Sequence, residues 1–177
     1  MVTIVLAGGS ADHGETPYSR AAFDFGRRVA REGWTLRTGG GSGLSIMGAA
    51  TDGALSAGGR VEGVILRRFW AVRHRGLHSL RSCKTFALRK AELFEGADAG
   101  VVFPGGFGTL DELGDLLTLK QTGFTKIPLV LVDLGGYYKH LLLWMKHAGR
   151  EGFLYGGSLL SVVRSPGGII RRLRSVL

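Results

Sequence analysis

The sequence predicts an α/β fold built around a parallel β-sheet. Short segments that are apolar throughout alternate with longer segments whose apolar residues recur at helical spacing. Strands that are apolar on both faces are typical of a parallel sheet covered by helices on both sides. The chain has 177 residues, a length that suits one domain, and it contains no internal repeat. We therefore expect a single domain, residues 1–177, with a Rossmann-like, doubly wound parallel sheet flanked by helices.

The first half of the chain is expected to supply three strands and two helices. Strands are predicted for the apolar segments "VTIVLAGG", "WTLRT" and "RVEGVIL". The segment "YSRAAFDFGRRVAREG" places Ala22, Phe25 and Val29 on one helical stripe, and Gly33 then ends the helix. The small residues of "IMGAATDGALSAGG" predict a helix that packs closely on the sheet. Residues 67–82 have no clean period and are predicted to form an irregular loop.

The second half of the chain continues the alternation. Residues 84–97 return to helical spacing, and Ala87, Ala91 and Phe94 are expected to form the stripe that faces the core. The segments "AGVVF" and "IPLVLVD" predict strands, and "TLDELGDLLTLKQTG" and "YYKHLLLWMKHAGREG" predict helices. An apolar patch, "LLSVV", precedes a short basic helix in "GGIIRRLRSVL". Strands and helices therefore alternate along the whole chain, as a parallel sheet requires.

Composition excludes several classes of protein. Hydrophobic residues make up 45% of the chain and charged residues 21%, which is unlike disordered, collagenous or coiled-coil sequences. The single cysteine, Cys83, excludes an intramolecular disulfide framework and fits a reducing compartment. The first apolar run is too short for a signal peptide, and no run approaches the ~18 apolar residues of a membrane span. We therefore expect a cytoplasmic protein without a membrane partner.

Basic residues are concentrated in one part of the chain. The formal net charge is +9, and residues 63–91 contain eight Lys and Arg residues and no acid. This run favours a funnel for a small phosphorylated substrate or a surface that faces solvent or another subunit. Nucleic acid is a third interpretation, because clustered cations neutralise backbone phosphates. It is the least favoured, since the chain carries no recognisable nucleic-acid motif.

Three glycine-rich segments directly follow predicted strands. They are "AGGS" (residues 7–10), "TGGGSG" (38–43) and "PGGFGT" (104–109). In a doubly wound sheet, ligands bind beyond the carboxyl ends of the strands, near the point where strand order reverses. Each segment also leads into a helix, whose free N–H groups and dipole favour an anion. We therefore expect an anion site at this edge, with Ser10, Gly40 and Gly41 as candidate nucleotide contacts; Ser10 is alternatively a simple turn residue.

The segment "PGGFGTLDE", residues 104–112, supports two interpretations. Thr109 and Glu112 have the spacing of a capping box, in which each side chain binds a backbone N–H at a helix start. Alternatively, the three glycines keep side chains away from the turn, so that a phosphate reaches the backbone N–H groups and the threonine hydroxyl. Glu112 and its neighbour Asp111 point in different directions on a helix and do not form a catalytic pair. The motif also lacks the lysine of a P-loop.

This motif resembles that of a known family of enzymes. The resemblance rests on "PGGFGTLDE", on "LRKAEL" upstream and on "GGGSGLSIMGAATDGAL" near the front. Together they are similar to the Lonely Guy family of cytokinin riboside 5'-monophosphate phosphoribohydrolases, often labelled lysine decarboxylase-like. The segments "LTLKQTG", "PLVLVDLGGYY" and "EGF" extend the resemblance over nearly the whole chain. It implies hydrolysis of the N-glycosidic bond of a purine nucleoside 5'-monophosphate, without a cofactor, in a homodimer or larger homo-oligomer.

The resemblance also implies roles for particular residues. Arg89 and Glu112 correspond to the family's catalytic arginine and glutamate. The phosphate-binding turn corresponds to Gly105, Gly106, Gly108 and Thr109. A carboxylate suits the positive charge that develops at the anomeric carbon when a ribosyl bond breaks. Because a guanidinium stays protonated in proteins, we expect Arg89 to hold phosphate or ribose oxygens, or to counter charge on the departing base. Lys90 is expected to be a surface cation or a cation that steers the phosphate, rather than a catalyst.

The chain departs from the family pattern in three places. Phe86-Ala87 stands where the family usually has Met-His, and the segment "GGGSGLSIMG" carries one extra residue. The basic, aromatic segment 67–82, with Phe69 and Trp70, also differs from the typical family sequence. It lines the base pocket on one interpretation and forms an interface or an exposed loop on the other.

A metal site and a pyridoxal phosphate site are not expected. His13, His74, His78, His140 and His147 show no metal-ligand spacing. A decarboxylase would need a lysine that forms a Schiff base with pyridoxal phosphate, and no lysine is marked for this role. The alternative to an enzyme is a non-catalytic module that binds a nucleotide or a sugar phosphate on the same scaffold.

Overall fold

The computed structural model describes residues 1–12 and 14–177. His13, one of the five histidines without metal spacing, lies outside the described residues. The strands are β1 Thr3–Ala7, β2 Thr35–Thr38, β3 Val61–Leu66, β4 Ser79–Cys83, β5 Ala99–Val102, β6 Leu129–Val132 and β7 Ser161–Val163. The helices are α1 Pro17–Arg31, α2 Ile46–Ser56, α3 Phe86–Phe94, α4 Phe107–Gln121, α5 Lys139–Arg150 and α6 Pro166–Arg174. Short 3₁₀ helices span Arg67–Val72 and Leu134–Gly136.

The seven strands form one parallel sheet in the order β4-β3-β2-β1-β5-β6-β7. The order reverses beside β1, where the chain crosses from β4 on one side to β5 on the other. Ile4 pairs with Ala99 and Ala7 pairs with Val102, so the carboxyl ends of β1 and β5 lie level. The predicted doubly wound parallel sheet is confirmed, and its switch point lies between the "AGGS" and "PGGFGT" segments.

Helices cover both faces of the sheet. On one face α1, α2 and α6 pack on the strands, and the rings of Phe25 and Phe103 lie 5.5 Å apart at their centroids. The small residues Ala49, Ala50 and Ala54 of α2 are buried there, as predicted for a closely packed helix. On the other face α3, α4 and α5 cover smaller clusters. The strands β1, β2, β5 and β6 are almost wholly buried because both of their faces are covered.

The prediction of an irregular loop over residues 67–82 is wrong. The segment contains the 3₁₀ helix Arg67–Val72 and the edge strand β4. In β4 only Cys83 is buried, while Arg81 and Ser82 are exposed, and the strand pairs with β3 alone. An edge strand of this kind is polar on its solvent side, so it lacks the apolar run that marks the central strands.

Two predictions about helices also need correction. Helix α3 begins at Phe86 after the N-cap Thr85. Its predicted core stripe is wrong for Ala87 and Ala91, which are exposed, and confirmed for Phe94, which packs against the core; Leu93 is the fully buried residue. The capping box of Thr109 and Glu112 is wrong as well. Helix α4 begins at Phe107, two residues before Thr109, and its N-cap Gly106 has no side-chain cap.

Two weaker predictions are refined by the structure. The apolar patch "LLSVV" contains β7, the last strand of the sheet. The basic helix α6 begins at Pro166, and its C-terminal turn carries Arg171, Arg172 and Arg174. Within residues 1–12 and 14–177, no helix has both the length and the apolar character that crossing a membrane requires.

Candidate active site

A cavity of about 1030 Å³ opens at the carboxyl edge of the sheet, above the switch point. The predicted convergence of the three glycine-rich segments is confirmed, because each of them contributes to its wall. Hydrogen bonds join the segments: Gly9 N–H donates to the Pro104 carbonyl (3.0 Å), and Ile46 N–H donates to the Gly9 carbonyl (3.1 Å). The predicted contacts that line the cavity are Ser10, Gly41, Arg89, Gly105, Gly106, Gly108, Thr109 and Glu112.

One end of the cavity is formed by the start of α4. The N–H groups of Thr109 and Leu110 both donate to the Gly106 carbonyl at 3.1 Å. The N–H groups of Gly106, Phe107 and Gly108 donate to no group among the described residues. Thr109 is buried at this end of the cavity. Free N–H groups at a helix N-terminus favour an anion such as a phosphate.

Of the three glycines of this turn, only Gly105 is required by the space available, and none is required by backbone conformation. None of Gly105, Gly106 and Gly108 has a positive φ. A Cβ on Gly105 would lie 2.7 Å from the Gly9 nitrogen and would collide with the Thr109 hydroxyl. A Cβ on Gly106 or Gly108 would meet no protein atom within 4 Å. Gly106 and Gly108 both line the cavity, so their absent side chains leave its volume open beside the start of α4.

Arg89 and Glu112 form a buried ion pair beside this turn. Arg89 Nη1 donates to Glu112 Oε1 at 2.6 Å, and Arg89 Nε donates to the Val64 carbonyl at 3.1 Å. Their side chains are only 13% and 7% exposed. Arg89 is thus fixed between the end of β3 and α4, and Glu112 Oε2 accepts no hydrogen bond from any described residue.

The environment of Glu112 changes its acidity. Burial raises the pKa of the Glu112 carboxyl, while the positive charge and hydrogen bond of Arg89 oppose that rise. Burial is the larger effect, so the pKa lies above that of an ordinary glutamate. A carboxylate of this kind is more basic than an exposed one, which suits interaction with a water proton.

Gly39 is a site residue that the sequence did not identify. A Cβ at Gly39 would lie 2.7 Å from Met47 Sδ and would collide with Arg89 Nη2. The glycine therefore opens the space that the guanidinium occupies. Gly40 differs, because it has a φ of 75°, does not line the cavity, and its carbonyl accepts the His74 N–H at 2.8 Å. The structure thus gives the neighbouring Gly40 a role in the turn rather than a ligand contact.

Lys90 is directed away from the cavity. Its Nζ lies 2.8 Å from Asp111 Oδ1 and 3.7 Å from Asp115 Oδ1, so it links α3 to α4. The hydrogen bond to Asp111 raises the pKa of Lys90. A phosphate contact through Lys90 would require the loss of this ion pair. The basic run 63–91 is therefore not a single surface, since its cations face different parts of the molecule.

Part of the cavity wall is apolar. Phe69 and Val72 of the first 3₁₀ helix lie there with Phe86 of α3 and the β3 residues Ile65 and Leu66. The 3₁₀ helix is held at the cavity by Ser42, whose N–H and Oγ both donate to the Val72 carbonyl at 3.0 Å. Such a surface fits the face of a flat aromatic ring.

Trp70, His74 and His78 contact other parts of the protein rather than the cavity. Trp70 does not line the cavity and stacks under the Arg73 guanidinium, 4.6 Å from its ring centroid. His74 Nε2 lies 2.8 Å from Asp52 Oδ1, and His78 Nδ1 accepts the Val61 N–H at 3.2 Å. Within the described part of the chain, no three His, Cys, Asp or Glu residues are grouped as a metal site requires.

Two tyrosines at the cavity were also not identified from the sequence. Tyr18 and Tyr137 line it, with their rings edge to face and the centroids 5.8 Å apart. The Tyr137 hydroxyl donates to the Gly105 carbonyl at 2.8 Å. The pair "YY" after two glycines is the signal for Tyr137 in the sequence, and it does not specify a function; no comparable signal marks Tyr18.

Known proteins resemble the chain over most of its length. Residues 47–171 match the sequence profile of a family described as "Possible lysine decarboxylase". A cytokinin riboside 5'-monophosphate phosphoribohydrolase of Rhodococcoides fascians is 37% identical over 142 residues, which are 78% of this chain and 71% of that protein. A probable cytokinin riboside 5'-monophosphate phosphoribohydrolase of Oryza sativa subsp. japonica is 32% identical over 160 residues, 89% of this chain and 75% of that protein.

Solved structures share the fold. A Moco carrier protein from Chlamydomonas reinhardtii has a TM-score of 0.76 at 20% identity, covering 99% of this chain and 96% of that one. At this identity the likeness concerns the fold alone. The two phosphoribohydrolases are more similar to this chain in sequence, at 37% and 32% identity. This chain therefore belongs to the family of cytokinin riboside 5'-monophosphate phosphoribohydrolases.

Proposed function

We propose that this protein hydrolyses the N-glycosidic bond of purine nucleoside 5'-monophosphates of the cytokinin type, releasing the free base and ribose 5-phosphate. The observation that carries the proposal is the buried Arg89–Glu112 pair, which shares one cavity with the open N-terminus of α4. The activity named for the relatives in R. fascians and O. sativa supports the same reaction.

The start of α4 is the proposed phosphate site. Its unpaired N–H groups and the Thr109 hydroxyl are the donors that a phosphate needs. Thr109 and Glu112 are three positions apart on α4, so they lie on the same face of the helix. A nucleotide whose 5'-phosphate binds beside Thr109 thus brings its ribose toward the carboxylate.

Glu112 and Arg89 act on the charges that develop during hydrolysis. As the bond between C1' and the base nitrogen lengthens, positive charge grows on the ribose and negative charge on the base. The Glu112 carboxylate stabilises the positive charge and orients water through Oε2, the oxygen that Arg89 does not hold. The water oxygen bonds to C1' and loses one proton, the electrons of the C1'–N bond leave with the base, and the base takes up one proton, so that one water molecule is consumed in total. Arg89 stays charged and acts as an electrostatic partner.

The apolar wall is the proposed base site. Phe69, Val72 and Phe86 present hydrocarbon surface rather than charge to the cavity. A purine with an apolar N6 substituent buries more of this surface than an unsubstituted adenine does. This favours cytokinin-type nucleotides over AMP.

A test of this function compares four compounds: AMP, isopentenyladenosine 5'-monophosphate and the two nucleosides that lack the phosphate. Chromatography should detect free base from both nucleotides, with the higher kcat/KM for the isopentenyl compound. The nucleosides should react about a hundredfold more slowly, because binding of the phosphate also stabilises the transition state for cleavage at C1'. Nucleotide binding without any base release would instead identify a non-catalytic binding module.

We also propose that the protein is a cytoplasmic homodimer. The single cysteine, Cys83, is buried and unpaired, which fits a reducing compartment. Beside the cavity, α3 and α4 expose Phe86, Leu88, Phe107 and Leu110, and Phe107 is 90% exposed. Neighbouring apolar side chains of this kind mark a protein interface. A second copy of the chain that covers them would close the cavity mouth.

Light scattering tests the dimer. The wild-type protein should have at least twice the 18.9 kDa mass of one chain. Leu88→Glu should shift it toward the monomer, because a buried charge at an interface is unfavourable. Leu143→Glu is the matched control, since Leu88 and Leu143 are equally exposed, at 54%, but Leu143 lies on α5. A monomeric wild-type protein would contradict the proposal.

A further inference from the structure

The tyrosine pair at residues 137 and 138 contacts the turn that precedes α4. The Tyr137 hydroxyl donates to the Gly105 carbonyl at 2.8 Å, and the Tyr138 hydroxyl donates to the Phe103 carbonyl at 2.7 Å. Tyr137 lines the cavity and is 45% exposed, whereas Tyr138 is buried in the core. Two adjacent tyrosines thus bind two carbonyl groups of the same turn. Tyr137 does so at the cavity, and Tyr138 does so in the core.

The position of this pair is well fixed. Gly135 and Gly136 have φ values of 61° and 75°, which produces the tight turn that precedes the tyrosines. The buried Asp133 accepts the Tyr138 N–H at 2.8 Å through Oδ1. The Tyr137 ring packs edge to face on Tyr18, at 5.8 Å between centroids, and on Tyr138, at 5.0 Å. These contacts hold the Tyr137 hydroxyl in place relative to the turn.

The Gly105 carbonyl belongs to the same peptide unit as the Gly106 N–H. In a planar trans peptide the C=O and N–H bonds point in opposite directions. Holding the carbonyl on Tyr137 therefore directs the Gly106 N–H the other way, and this N–H donates to no group among the described residues. Because both flanking residues are glycines, this peptide unit has little steric resistance to rotation. A rotated unit would present a carbonyl oxygen to an anion.

We propose that Tyr137 is a positioning residue that holds the Gly105–Gly106 peptide in the orientation that presents the Gly106 N–H to the substrate phosphate. This inference rests on the proposed function, because it assigns the phosphate to the turn before α4. It gives Tyr137 a role in phosphate affinity and none in bond cleavage.

The test is Tyr137→Phe, which removes the hydroxyl and keeps the ring and its contacts with Tyr18. Ribose 5-phosphate binding, measured by calorimetry, should weaken about tenfold, as expected for the loss of one charge-assisted hydrogen bond. KM for the nucleoside monophosphate should rise by a similar factor, while kcat at saturation stays within about twofold, because the cleavage groups are untouched. The slow reaction of the nucleoside, which has no phosphate, should be unchanged.

Tyr138→Phe is the matched control. It removes a buried hydrogen bond to Phe103, outside the Gly105–Gly106 peptide, so it should lower the melting temperature without changing ribose 5-phosphate affinity. The inference is overturned if Tyr137→Phe binds ribose 5-phosphate as the wild type does, or if both variants lose affinity equally. It is also overturned if the wild-type protein does not bind ribose 5-phosphate. Binding of ribose 5-phosphate that depends on Tyr137, without base release from any nucleotide, overturns the proposed hydrolysis and leaves the inference standing.

Discussion

Replacing Glu112 with glutamine should lower kcat for base release about a thousandfold, because it removes the negative charge that faces the developing cation. Glutamine has nearly the same shape and keeps a carbonyl oxygen for Arg89, so the geometry of the pair is preserved. The side chain is buried, and Arg89 is its hydrogen-bond partner among the described residues. Chromatographic detection of free base under single-turnover conditions measures the effect.

The pH profile separates loss of charge from loss of structure. Burial raises the pKa of Glu112, so wild-type kcat/KM should fall as the pH decreases through a value above that of an ordinary glutamate, where the carboxylate becomes protonated. The residual activity of Glu112→Gln should lack this acidic limb. A variant that keeps the wild-type rate and profile would show that Glu112 does not supply the charge.

Asp111→Asn is the control for Glu112→Gln. Asp111 is the adjacent acid, its side chain is 53% exposed, and it pairs with Lys90 outside the cavity. Lys90 keeps Asp115 as a second partner at 3.7 Å. Exposed ion pairs contribute little to stability, so activity should stay within about twofold of the wild type. An equal loss in both variants would indicate a general effect of charge at the start of α4.

The fold was predictable because its central strands are buried on both faces. The sequences of β5 and β6 are apolar throughout, and those of β1 and β3 are apolar apart from Thr3 and Glu62. Strand β4 was missed because an edge strand with an exposed side has no such run. The stripe on α3 was misplaced for a related reason. The predicted residues Ala87 and Ala91 lie on an exposed face, and helical spacing alone does not show which face of a short helix is buried.

The site was predictable in its location and less so in its contacts. A glycine-rich segment follows each of three strands, and glycine lets a ligand approach the backbone closely. The three strands are neighbours in the sheet, so their carboxyl ends bring the three segments together. The roles of the glycines at 39–41 differ. They depend on the atoms that a side chain at each position would touch, which the sequence does not show. Gly39 accommodates Arg89, whereas Gly40 has a left-handed turn conformation. The Arg89–Glu112 pair joins positions that are distant in sequence, so only resemblance to a family indicated it.

Replacing Gly108 with alanine should weaken substrate binding without lowering the stability of the fold. Gly108 lies in the first turn of α4 without a positive φ, and a Cβ there would meet no protein atom within 4 Å. Alanine has the higher helix propensity, so the free energy of unfolding should stay the same or rise by up to about 1 kcal/mol. The new methyl group is expected to project into the cavity beside the unpaired N–H groups. If the phosphate can no longer reach one of these N–H groups, its binding free energy becomes less favourable by about 1.5–3 kcal/mol. KM should therefore rise about tenfold to a hundredfold.

Gly114→Ala is the matched control for this variant. Gly114 lies further along the same helix, is exposed, does not line the cavity and also has open space at its Cβ position. Its replacement should give the same gain in helix stability with unchanged KM. Urea unfolding and steady-state kinetics on both variants make the comparison. If Gly108→Ala keeps the wild-type KM, the phosphate does not bind at the start of α4. If both variants lose activity together, the glycines act through the conformation of the helix rather than through access to its N–H groups.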